Sequence, residues 1–303
     1  MKNVLVIYYT QSGQLLDILQ SFTSSLEKDS QVALTFCEIK PQLEFAFPWN
    51  GERFFNAFPE SILQVNQKIQ PIPKEITDKK WDLVILGYQV WFLSVSIPVN
   101  SFLFSEDGKK ILKNNRVLTV IGCRNMWTNA QEKVKIRLKE LHAELVGNIV
   151  LTDKAPNLIS AYTIVKWMYS GKKEKYLGVF PKPGVSDQDI QNAAVFGKPV
   201  LESLKKEDYR DLQQKLVALG AVVIKPFIVT IEKRGAAIFK KWATFIITKK
   251  ASRNRWLKIF NLYLAIAIWI ISPIAYVLYL LSYPFTFANR KKLTEYYKGI
   301  QLK

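Results

Sequence analysis

Histidine and cysteine are almost missing from this chain: 303 residues hold one histidine, His142, and two cysteines, Cys37 and Cys123. His142 falls on the flank of a helical pattern and reads as structural, so no Cys-His-Asn arrangement for thiol-based condensation is available. Neither cysteine belongs to a CxxC or other metal spacing. No metal centre is expected, and both read as small buried strand residues of a reducing compartment. No secretory leader is expected, because Met1-Lys2 runs directly into a short strand, and the first half is expected to stay in the cytoplasm. Acidic residues are scarce, 25 against 43 Lys and Arg. The deficit is uneven: residues 1–153 carry 17 basic and 16 acidic side chains, residues 154–303 carry 26 and 9. The two halves are therefore expected to face different environments, the basic one toward nucleic acid or an anionic membrane surface.

What is present begins with five apolar runs separated by helical patterns, Val4–Tyr9, Val32–Ile39, Leu83–Gly87, Val117–Gly122 and Asn148–Thr152. Continuous apolar strands alternating with helices predict an α/β protein with a doubly wound, five-stranded parallel sheet covered on both faces. A last helix is expected from Asp187 to Lys205 with Ser186 as its N-cap. Two stretches interrupt the alternation, 41–73 and 155–184, both rich in aromatics. They read either as lids and binding loops or as cover for the sheet ends.

The first strand runs into Thr10-Gln11-Ser12-Gly13-Gln14-Leu15 and then a helix. A hydroxyl-and-glycine turn there offers free backbone N–H groups and the positive end of the helix dipole to a phosphate. The same junction also occurs as a simple helix cap. Two further loops leave the same end of the sheet, Tyr88-Gln89-Val90-Trp91 after the third strand and Arg124-Asn125-Met126-Trp127 after the fourth. A phosphate cradle flanked by aromatic loops suits a flat, phosphorylated heteroaromatic ring. Trp91 could instead be core, and Arg124 could pair with a surface carboxylate.

These residues resemble a flavodoxin-like FMN protein over about residues 1–205. Thr10, Ser12 and Gly13 match the family's phosphate loop, with Leu15 where a last Thr is usual. Gly87 to Leu103 is similar to the Gly-x-Pro-Val-Trp loop and Pro-Val helix start of flavodoxin-like reductases, with Gln89 in place of the proline. The resemblance implies FMN held by the backbone of Thr10–Leu15, with Tyr88, Val90 and Trp91 on one side of the ring and Arg124, Asn125 and Trp127 on the other. Tyr88 is a weak candidate for the base. Asp153-Lys-Ala-Pro-Asn157, the Trp167 segment and Phe47-Pro-Trp-Asn50 resemble the dialkylresorcinol-forming branch of aryl-polyene and flexirubin-type pigment biosynthesis. That branch implies an FMN-dependent oxidoreductase that aromatises a dialkyl-cyclohexanedione, with a separate ketosynthase-type partner. An NAD(P)H:quinone or FMN reductase and a flavodoxin-like electron carrier are the alternatives.

The remainder, 206–303, reads as a basic, apolar helical extension. No charge occurs from Ile259 through Asn289. As one helix this run would measure about 45 Å, more than the roughly 30 Å hydrocarbon core. Ser272-Pro273 is expected to break it into a re-entrant or interfacial hairpin, with both basic ends on the cytoplasmic side of the inner membrane. A single tilted span and a helical pair buried in a dimer are the other readings. Nucleic acid is disfavoured, because its binding modules do not end in an uncharged run of this length.

Overall fold

The computed structural model describes residues 1–302. Its sheet contains β1 (Lys2–Tyr8), β2 (Val32–Glu38), β3 (Leu83–Trp91), β4 (Ser94–Val95), β5 (Arg116–Cys123) and β6 (Glu144–Thr152). Five of these run parallel in the order β2-β1-β3-β5-β6, while β4 pairs antiparallel with the end of β3 and makes the sheet six-stranded rather than five. Without β4 this is the 2-1-3-4-5 winding of a flavodoxin-like fold. Val4 to Ile7 and Leu83 to Leu86 have no solvent exposure, as expected of strands covered on both faces.

The helix Gln14–Glu27 buries Leu15, Ile18, Leu19, Phe22 and Leu26, a three- and four-residue spacing that turns one face to the sheet. Its outer neighbour differs from expectation. The helix foreseen over Asp187 to Lys205 is divided into Asp187–Asn192, a 3₁₀ turn Ala193–Phe196 and Gly197–Lys206. A Cβ on Gly197 would lie 2.5 Å from the Phe22 carbonyl oxygen, so the bend occurs where the two helices touch backbone to backbone. Ser186 caps the first piece as foreseen, accepting from the Asp189 N–H at 3.0 Å.

The α/β body extends beyond residue 205. Tyr209, Leu212, Leu216, Ala221 and Val222 belong to the main core. The Val150 N–H donates to the Ala221 carbonyl at 2.8 Å, and the Asn148 N–H donates to Gln213 Oε1 at 2.7 Å.

After residue 222 the chain builds a second layer on this body. The helix Pro226–Thr248 lies along it, burying Ile228, Val229 and Glu232 near its start and Ala243 and Ile246 near its end. The helical run Lys250–Leu281 then folds back antiparallel. Phe245 meets Trp256 at 4.7 Å, Trp242 meets Tyr263 at 5.6 Å, and Phe227 meets Tyr276 at 4.9 Å. Contrary to expectation, Ser272-Pro273 does not break this run. A π turn at Ala267–Ile271 immediately precedes the proline, and this wider register removes the clash that Pro273 would make in a regular α-helix. Reversals fall instead at 249–252 and at Ser282, from which the helix Tyr283–Lys298 returns to the body. There the Tyr296 hydroxyl donates to Glu132 at 2.6 Å, and Gln213 Nε2 donates to the Lys298 carbonyl at 2.7 Å.

A second apolar core joins this layer to the first aromatic insertion. Phe58, Ile62, Leu93, Ala243, Ile246, Leu257 and Phe260 bury one another, with the Phe58 and Phe260 rings stacked at 3.8 Å. Arg253 ties the layer down by donating to the Asn56 carbonyl at 2.8 Å and to Glu60 at 2.7 Å.

Candidate functional site

The strand order reverses between β1 and β3, and in sheets of this winding ligands bind outside the carboxyl ends at that point. The loop after β1 is shaped for it. Gly13 adopts φ 83°, and a Cβ there would meet nothing within 4 Å; its left-handed conformation, not lack of room, selects glycine. The Gly13 carbonyl accepts the Asp17 N–H at 3.1 Å and starts the helix. Thr10 Oγ1 and Gln11 Nε2 are buried yet have no partner among the described residues. A polar atom taken from water without a partner costs about 1–3 kcal/mol, so both are open to a polar partner. Ser12 is partly buried beside them. Gln14 behaves differently: its amide accepts from the Val185 N–H at 3.1 Å and donates to the Val185 carbonyl at 3.2 Å, tying the second insertion to this loop. Leu15 is core, so only its backbone faces the loop.

The β3 side is a hairpin and not the open aromatic loop expected after Gly87. Val90 pairs with Val95 and Trp91 with Ser94. The turn residues Phe92 and Leu93 have φ 46° and 62°. Such a turn normally takes Asn or Gly, and each bulky residue there costs of order 1–3 kcal/mol. Packing holds it: Leu93 lies in the second core, Phe92 contacts Phe54 at 4.7 Å, and Asn129 Nδ2 donates to the Leu93 carbonyl at 2.6 Å. Gln89 pairs in register with Gly122, and its Oε1 is likewise buried without a partner among the described residues. Trp91 stands at the edge of the site, its ring against Phe45 at 4.9 Å, Trp49 at 5.4 Å and Tyr9 at 5.9 Å.

Tyr88 does not belong to this surface. Alternation along β3 turns it into the core, where it is fully buried and donates to Gln131 Oε1 at 2.5 Å. Gln131 in turn donates to Thr119, and Thr119 to Asn148. Burial pushes the phenol pKa well up, so Tyr88 serves neither as a base nor as a wall of the ring site. Trp127 is likewise core, at the start of the helix Thr128–Glu140.

The loop after β5 carries a cation. Arg124 Nη2 donates to Asn157 Oδ1 at 2.5 Å and its Nε to Asn125 Oδ1 at 3.3 Å; Asn125 Nδ2 donates to the same Asn157 oxygen at 2.8 Å. Asn157 comes from the second insertion, whose entry is organised by buried Asp153. That carboxylate accepts from the Ala155 N–H, the Ser160 hydroxyl and the Gly184 N–H at 2.9, 2.8 and 3.3 Å. Asp153 and Asn157 were legible as part of a motif, but their role depends on the return of the chain at Gly184. Nothing in the local sequence signals that return.

The two insertions interlock over this end of the sheet. The Trp49 N–H donates to the Met168 carbonyl at 2.8 Å, Phe47 and Trp167 meet edge to face at 6.1 Å, and a Cβ on Gly184 would lie 2.8 Å from Trp167 and 2.9 Å from the Gln14 amide. Together they cover this end of the sheet, with Trp49 against Trp91 and Val185 bonded to Gln14. His142 lies at the opposite end, in the turn before β6.

No family model and no curated protein matches the chain. Among solved structures it is similar to a candidate flavoprotein from Bacteroides eggerthii at 17% identity and TM-score 0.39, covering 55% of this chain and 98% of that one. It is similar to a flavoprotein in complex with FMN from Lactobacillus acidophilus at 16% identity and TM-score 0.39, covering 50% and 93%. It is also similar to an oxidised flavodoxin from Bacillus cereus at 11% identity and TM-score 0.36, covering 66% and 98%.

Proposed function

We propose that this chain is an FMN-dependent oxidoreductase working at a membrane surface, where it aromatises a dialkyl-cyclohexanedione to a dialkylresorcinol. The observation that carries the cofactor is that three of the buried polar atoms without a partner among the described residues, Thr10 Oγ1, Gln11 Nε2 and Gln89 Oε1, gather at one end of the sheet. They border the β1/β3 switch point, where a flavodoxin-like sheet takes FMN. The backbone of Thr10–Leu15 would take the phosphate, while Gln89, Val90, Trp91, Arg124 and Asn125 would border the ring. Bound FMN supplies a two-electron acceptor for a hydride. The net reaction removes a proton and a hydride from the substrate ring, and an acceptor such as oxygen or a quinone takes the electrons on.

The second layer supports the membrane setting. Lys250–Leu281 is long and apolar enough to cross a membrane, and none of its most apolar window is buried. Arg253 ties one end to the body, and near the other end Tyr276 and Tyr279 pack on Phe227 of the helix Pro226–Thr248. A helix held along its length favours lying in one leaflet over spanning both. Lys249, Lys250, Arg255 and Lys258 at one end and Lys291 and Lys292 at the other suit anionic headgroups. Arg290 does not join them, because it is buried and donates to the Tyr279 carbonyl at 2.6 Å. Docked in this way, the enzyme meets a two-tailed substrate without extracting it into water, at about 0.8 kcal/mol per CH₂. A ketosynthase-type enzyme acting before it is part of the same reading.

The test is purification with FMN, followed by incubation with a synthetic 2,5-dialkylcyclohexane-1,3-dione and oxygen. Resorcinol formation supports the reading. Failure to take up FMN overturns it, and rapid NAD(P)H oxidation with quinone but no resorcinol moves the assignment to a reductase.

A further inference from the structure

Arg124 is a partly buried cation without a counter-ion. Its guanidinium reaches only the neutral amides of Asn125 and Asn157, and among the described residues no Asp or Glu oxygen lies within 4.0 Å of it. Asp153 is the nearby acid that acts on it, but both Asp153 oxygens already accept from Ala155, Ser160 and Gly184. Burial draws the Arg124 pKa down to about 10, and it stays charged at neutral pH. Removing a charge from water costs several kcal/mol, which neutral dipoles return only in part. The group is also held in one orientation, because Asn157 Oδ1 accepts from Arg124 and Asn125 together. Asn157 is itself placed by the Asp153-centred turn. A fixed positive charge therefore stands at the carboxyl end of β5, beside Gln89 of β3, which pairs with Gly122 two residues before it.

We propose that Arg124 faces the ring of the bound FMN and holds the negative charge that the ring gains on reduction, raising the reduction potential of this site. The inference rests on the FMN reading above and deepens it. A site that binds the reduced ring more tightly than the oxidised one accepts hydride from a substrate; a low-potential electron carrier needs the reverse. Charge near the ring is one of the means by which a protein tunes flavin electronics. Arg124 does this by attraction, and the Asp153–Asn157 turn keeps it aimed.

The experiment is a potentiometric titration of the FMN-loaded full chain, wild type against Arg124→Gln, Arg124→Lys and Asn157→Ala, with binding of oxidised FMN measured alongside. In Arg124→Gln the affinity for the reduced form should fall at least tenfold further than that for the oxidised form, which for a two-electron couple lowers the midpoint by about 30 mV. Arg124→Lys should recover most of the loss, and Asn157→Ala should fall between. Normal FMN uptake with an unchanged Arg124→Gln midpoint overturns the inference alone. If wild type takes up no FMN, the cofactor reading falls and this inference falls with it.

Discussion

Glu232 accepts the Asn129 N–H at 2.7 Å and so closes the amino-terminal end of the helix Thr128–Glu140 from a different helix. Its other oxygen accepts the Thr128 hydroxyl at 2.8 Å. The carboxyl has no solvent exposure, and this contact locks the second layer to the α/β body next to the loop that carries Arg124. Burial raises its pKa to about 7, opposed by the hydrogen bonds from Asn129 and Thr128.

A raised carboxyl pKa means that the folded protein holds a proton which the unfolded chain releases near pH 4.5. The stability that Glu232 contributes is present below that pH and is lost as the pH rises through about 7. Glu232→Gln keeps the neutral shape at every pH. Denaturant melts at pH 4 and pH 8 should show the variant matching wild type at the lower pH and exceeding it at the higher by roughly 3 kcal/mol, one unit being about 1.4 kcal/mol. If wild type instead gains on the variant at pH 8, the carboxylate is favoured by the helix end and the sign is reversed.

Thr10→Val removes a buried hydroxyl that has no partner among the described residues. The ligand-free protein should melt higher, by about 1 kcal/mol or roughly 2–4 °C, while FMN affinity falls roughly tenfold, about 1.4 kcal/mol. Calorimetry with and without FMN reads both effects. An unchanged FMN affinity would remove Thr10 from the phosphate site.

Tyr88→Phe leaves Gln131 Oε1 without its donor in the core. A stability loss of about 1–3 kcal/mol is expected, with FMN binding and the pH dependence of turnover unmoved. A lost basic limb in the pH–rate profile would return Tyr88 to the chemistry.

On the outer stripe of Lys250–Leu281, Leu262, Ile270 and Val277 are 63%, 56% and 55% exposed. Changing all three to Glu should abolish sedimentation with anionic vesicles and shift stability by less than about 1 kcal/mol, because exposed sites tolerate charge. Retained vesicle binding would exclude this stripe as the membrane face. Ending the chain at Ser252 is a poorer test: it also removes Leu257 and Phe260 from the second core, so insolubility is the expected outcome.

The sheet was legible because strands covered on both faces must be apolar throughout, as Val4–Ile7 and Leu83–Leu86 are. The glycine turn after β1 was legible because Gly13 and the hydroxyls lie within four residues of each other. Three readings were out of reach for one shared reason, that local pattern does not report long-range partners. Tyr88 looked like a loop aromatic because β3 continues past Gly87 only through its pairing with Ser94–Val95. Pro273 looked like a break because the π turn before it has no sequence mark. The boundary at 205 came early because Leu212 and Leu216 find their partners on β6.

By itself, the sequence determined the parallel α/β sheet and the gathering of basic and apolar residues after residue 206. These follow from hydrophobic periodicity and charge, which act over a few residues. Only the tertiary structure decided that the two insertions interlock as one roof and that Asn157 reaches Arg124. It alone laid the apolar helix along the body, held by the Phe58–Phe260 stack. Each of these depends on burial between segments up to two hundred residues apart, and only the folded chain brings such segments together.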